Sequence, residues 1–154
     1  MSHNQDQELM QASSIGDPIE AKKAIANGAN SSYADPNNNG WTVLMEAATK
    51  NHPEIVEILV GSGASLEQKT GCGCTVLTKT SCEGTPEMLK TLLSSGANAS
   101  HINNKGLSLL DKAISCGNSL VVEFLTDQMP FMDLLSTFFS KNVSGVSEID
   151  IDLN

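Results

Sequence analysis

The 154-residue sequence holds no apolar run of the length a membrane helix needs, about 18 residues. Its first residues, Met1 to Gln11, are polar and contain no hydrophobic leader segment. Basic residues are scarce: 9 Lys and Arg stand against 18 Asp and Glu, for a net charge of −9. Phosphate backbones are held by a basic face that displaces counterions, so this balance argues against nucleic acid and anionic membranes as main partners. Aromatic residues make up 4 % of the chain, which leaves the core to Leu, Ile, Val, Ala and Met. The expected location is cytoplasmic, with delivery into a host cell as the alternative. In a reducing compartment the four cysteines are expected as free thiols.

Patterns that carry chemistry are missing as well. There is no G-x-S-x-G elbow and no phosphate-binding loop; Gly71-Cys72-Gly73 belongs to a turn, with the following helix at the wrong spacing for a phosphate cradle. His3, His52 and His101 lie in different regions, and none is paired with a nucleophile. Cys72-Gly73-Cys74 is C-x-C, without a second chelating pair or a histidine at zinc spacing. No enzymatic activity, metal or cofactor is therefore expected. Cys72, Cys74, Cys82 and Cys116 read first as small surface residues, and second as a redox or metal site.

What is present is a repeat. Gly40-Trp41-Thr42-Val43-Leu44 returns as Gly73-Cys74-Thr75-Val76-Leu77 and, more weakly, as Gly106-Leu107-Ser108-Leu109-Leu110, each step being 33 residues. Gly28-Ala29-Asn30, Gly63-Ala64-Ser65 and Gly96-Ala97-Asn98 repeat at 35 and then 33 residues, which places two extra residues within Ser31 to Asn39. Between these landmarks stand Gly16-Asp17-Pro18, Asn51-His52-Pro53, Gly84-Thr85-Pro86 and Gly117-Asn118-Ser119. Each reads as a left-handed residue ending one helix, a cap, and the first residue of the next helix. His52 is the poorest of the four caps. Ala21, Val56, Leu89 and Val122 then form an apolar column, with Ala24, Leu59, Leu92 and Leu125 on the same face. Small residues in the preceding helices (Ala47-Ala48, Thr80-Ser81, Ala113) allow close approach between units.

These motifs resemble ankyrin repeats, with their Gly-x-Thr-Pro-Leu start, Ala-Ala in the first helix, and Leu-Leu-x-x-Gly-Ala closing the second. Residues 40–65 match best, and the resemblance covers about residues 6–130. It implies an all-α solenoid of helix–turn–helix units joined by short β-hairpin-like turns. The expected units are 6–36, 37–69, 70–102 and 103–129, the first without its leading turn. A capping helix is expected over 131–139, a disordered N-terminus over 1–5 and a flexible acidic tail over 140–154. Val43 and Val76 replace the family's proline; Met45, Thr78 and Asp111 replace its histidine, which helps tie turn to helix. Thr80-Ser81 in place of Ala-Ala marks the third unit as the softest internal one.

The resemblance also implies function: ankyrin proteins bind protein partners through hairpin tips and the inner face of the first helices. Carried over position by position, this gives Trp41, Lys50, Lys69, Cys72, Cys74, Glu83, Lys105, Leu107 and Cys116 as candidate partner-binding residues. Trp41, Cys74 and Leu107 are expected to line up as an apolar stripe, Trp41 being the residue type most often found at binding hot spots. Its alternative role is local packing on the insert around Tyr33. The tail from Val146 to Leu153 alternates apolar and acidic residues, as a solvated tail or as a strand added to a partner. The expected function is a protein-interaction adaptor, monomeric when unbound. The alternatives are a dedicated inhibitor of an enzyme or toxin, and a bacterial effector acting on host proteins.

Overall fold

The repeat in the sequence becomes a stack of helical hairpins. The computed structural model describes residues 2–128, and the capping helix and tail expected beyond them lie outside the described residues. Four hairpins follow one another: α1 (Ser2–Ile15) with α2 (Pro18–Ala26), α3 (Val43–Thr49) with α4 (Pro53–Gly61), α5 (Val76–Glu83) with α6 (Pro86–Ser94), and α7 (Leu109–Cys116) with α8 (Ser119–Gln128). The odd-numbered helices contact each other in sequence order and form one layer; the even-numbered helices form the second. A repeat cannot bury its own face, so each hairpin covers the apolar side of its neighbour. The architecture is an all-α ankyrin-type solenoid.

The core runs between the layers. Val56, Leu59, Leu89, Leu92 and Leu125 are fully buried, each stabilising the stack by about 1.5–3 kcal/mol through apolar surface removed from water. In the fourth unit Val121 is buried and Val122 only half-buried. Ala47, Ala48 and Ala113 are fully buried where inner helices meet. At the equivalent place in α5, the Thr80 hydroxyl donates to the Val76 carbonyl at 2.8 Å and the Ser81 hydroxyl to the Thr78 carbonyl at 2.6 Å. Both polar groups are thus satisfied inside the helix itself.

The caps follow the residues. Asp17 accepts the N–H groups of Ile19 and Glu20, and Thr85 accepts that of Met88. His52 makes no capping bond; its Nε2 lies 3.1 Å from the Ser14 carbonyl and joins the first two units. Asp111, at a position where the family has histidine, forms a reciprocal capping box with Ser108. Gly16, Asn51 and Gly117 have the expected left-handed φ, but Gly84 does not: its φ is −100°. Gly84 is needed for space, because a Cβ there would sit 2.7 Å from the Thr80 carbonyl oxygen.

Two further expectations are corrected. Residues 2–5 belong to α1, which begins at Ser2, and are not disordered. Cys82 and Cys116 are not free thiols: they form a disulfide linking the C-terminal ends of α5 and α7, with Cα atoms 5.3 Å apart. Stacking of consecutive inner helices places their last turns side by side, inside the distance range a disulfide requires. Cys72 and Cys74 are free.

The two extra residues before Gly40 have a structural role. They lengthen the first turn enough for a two-stranded antiparallel ladder, β1 (Ala34–Asp35) with β2 (Trp41–Thr42), pairing Ala34 with Thr42 and Asp35 with Trp41. A short 3-10 turn over Pro36–Asn38 closes it.

Candidate partner-binding face

Trp41 is set by the strand pair just described. β2 holds it opposite Asp35, directly before the Thr42 side chain that caps α3. The ring is half-buried. Its Nε1–H donates to Glu46 Oε2 at 2.8 Å, and Lys79 of the next unit lies with Nζ 5.4 Å from the ring centroid. Glu46 and Lys79 are one repeat apart (33 residues), so stacking places them side by side on the inner layer, where they grip the indole from its edge and its face. Beside Trp41 opens a cleft of about 430 Å³, lined by Met10, Tyr33, Asp35, Asn38, Trp41 and Glu46 among others. Burial, then the charges of Asp35 and Asp6, hold the Tyr33 phenol above its ordinary pKa. The insert around Tyr33 and the inner helix face therefore meet at Trp41.

The apolar stripe is not continuous. Cys74 is 1 % exposed and cannot present a surface to a partner. Its turn is tighter than the one at Trp41: the Thr70 N–H donates to the Cys74 carbonyl at 3.0 Å and the Gly73 N–H to the Thr70 carbonyl at 2.8 Å. The following turn covers the thiol, with Asn103 Nδ2 3.6 Å from Cys74 Sγ. Leu107 is half-buried, its N–H bound to Asn103 Oδ1 at 3.0 Å.

The remaining candidates occupy the rim. Lys50 ends α3, Glu83 ends α5, and Lys69 and Lys105 flank successive turns; all four are exposed. Cys116 is exposed but spent in the disulfide. Cys72 is partly exposed on the turn before α5. The turns are joined into a ladder. The Gly71 N–H donates to the Asn39 carbonyl at 3.0 Å, the Asn104 N–H to the Cys72 carbonyl at 3.2 Å, and Asn104 Nδ2 to the Gly71 carbonyl at 3.3 Å. Glu46, Lys79, Tyr33, Asp35 and Asn38 join this face without having been singled out from the sequence. For Glu46 and Lys79 the signal was the repeat period itself.

Among the described residues no helix is long and apolar enough to cross a membrane, and no group of three or more His, Cys, Asp or Glu is arranged to hold a metal ion. A comparison with curated proteins gives no match. A comparison with family models matches residues 2–70 to ankyrin repeats (3 copies). The same hairpin and turn continue past that match to Gln128. Residues 2–70 thus match the ankyrin-repeat family, and the hairpins that follow them share its solenoid architecture.

Proposed function

We propose that this array binds one folded protein partner through the inner face centred on Trp41. Ankyrin repeats are in general protein-interaction modules, and the family is typically non-enzymatic. The observation that carries the reading is the clamping of Trp41 between Glu46 and Lys79, beside an open cleft. An aromatic side chain already fixed in place loses little entropy on binding, and such anchors dominate interface energetics. Exposed Lys50, Lys69, Glu83 and Lys105 supply a charged rim of mixed sign around it.

An adaptor or inhibitor role rests on the same face. The test is a comparison of proteins cross-linked in cells to the parent chain, to Trp41→Ala, and to Glu57→Ala on the exposed side of α4. A partner lost with Trp41→Ala but kept with Glu57→Ala supports the reading. A partner kept by Trp41→Ala overturns it. If the partner is an enzyme, its activity with and without the chain separates inhibitor from adaptor.

A further inference from the structure

The turn from Thr70 to Cys74 brings two free thiols together. Cys72 Sγ lies 3.4 Å from Cys74 Sγ, and the turn is closed above them by the bond from the Thr70 N–H to the Cys74 carbonyl. One thiol faces outward: Cys72 is partly exposed, with the Thr70 hydroxyl 3.1 Å from its sulfur. The other is buried behind it, near Asn103 Nδ2. This is the arrangement of an attacking thiol and a resolving thiol, on the ladder of turns and clear of the α5–α7 disulfide. We propose that Cys72 and Cys74 form a thiol–disulfide exchange site whose substrate is a small alkyl disulfide of the glutathione type.

The chemistry balances without a further reagent. The Cys72 thiolate attacks one sulfur of the small disulfide, forming a mixed disulfide and expelling one thiolate. Cys74 then gives up its proton and attacks Cys72 Sγ, expelling the second thiolate. Two cysteines are oxidised, one small disulfide is reduced to two thiols, and the two protons lost by the cysteines end on the products. The environment suits each role. The Thr70 hydroxyl bond, with help from the Cys74 thiol and the Lys79 charge, outweighs burial and lowers the Cys72 pKa to about 7. Cys74 is raised by burial first and by its bond to Cys72 second. That second influence, and the repulsion from the Cys72 charge, both end once Cys72 is in a mixed disulfide. The resolving step is thereby easier after the first step than before it. The Lys79 that assists Cys72 is the same side chain that covers Trp41, so the site borders the partner-binding face.

The test uses the full chain with its native disulfide, treated with glutathione disulfide and read by intact mass and peptide mapping. The expected product is a Cys72–Cys74 link with no retained glutathione. Cys74→Ser should stop at a single adduct on Cys72, and Cys72→Ser should lose the reaction at this turn. Alkylation of the unsubstituted chain by iodoacetamide, followed against pH, should show a midpoint near about 7 at Cys72, independently of any variant. Stable adducts on both thiols of the parent, no reaction at all, or an alkylation midpoint at the ordinary thiol value would each overturn the proposal.

Discussion

Lys79 sits with its ammonium 5.4 Å from the centre of the Trp41 ring, joining a turn of one repeat to the inner helix of the next. Trp41 is the only tryptophan in the chain, so its fluorescence reads this contact directly. Lys79→Gln should shift its emission while lowering stability by no more than about 1 kcal/mol. Glu46→Ala removes the indole's acceptor and should make the ring more accessible to acrylamide. Unchanged emission and quenching in both variants would mean that the clamp does not form in solution.

The Cys82–Cys116 disulfide closes a loop across 34 residues and ties α5 to α7. On a chain-entropy basis a loop of that size contributes about 4 kcal/mol. Cys116→Ser should lower the denaturation midpoint accordingly, with the loss concentrated in hydrogen exchange of α5 to α8. In a repeat array, stability depends on neighbouring interfaces, so α1 to α4 should stay comparatively protected.

Ser13 has its hydroxyl fully buried and, among the described residues, no hydrogen-bond partner for it. It occupies the place that Ala48 takes one unit later, counting the 35-residue first step. Ser13→Ala should raise stability by about 1 kcal/mol, because it removes an unpaired buried polar group and leaves no cavity of consequence. A fall in urea midpoint would show that the hydroxyl is satisfied in solution.

Asp6 is buried and accepts the Asn30 N–H at 2.7 Å, closing the first hairpin onto its own exit. Asp6→Ala leaves that N–H without its charged acceptor and should cost about 2 kcal/mol. The loss should show as faster exchange of the Asn30 amide.

Much of this molecule was legible in the chain. The repeat of Gly-x-Thr, of the turn before Pro53 and Pro86, and of the Val56–Leu59 and Leu89–Leu92 columns specifies helical hairpins, because each motif has a local physical cause. A proline at a helix start, a hydroxyl at a cap and apolar residues three apart act within one turn of chain. The extra pair of residues near Tyr33 was also visible, though not the strand ladder it builds. Family position implies an exposed stripe at Cys74, but the neighbouring turn with Asn103 covers it and decides its burial. A reducing compartment predicts free thiols, whereas Cys82 and Cys116, about one repeat apart, are brought together by the stacking of α5 on α7.

The division between the two sources of information has a plain physical basis. The sequence by itself determined the period, the helices, most of their caps and most of the core columns, since these rest on interactions between residues close in the chain. Tertiary structure alone decided which residues of successive units touch: Glu46 and Lys79 around Trp41, Cys82 bonded to Cys116, Cys74 beneath Cys72 and beside Asn103. Those contacts depend on the angle and offset at which one hairpin stacks on the next. That geometry is set by the sum of all the small-residue and leucine contacts between units, and no single motif encodes it.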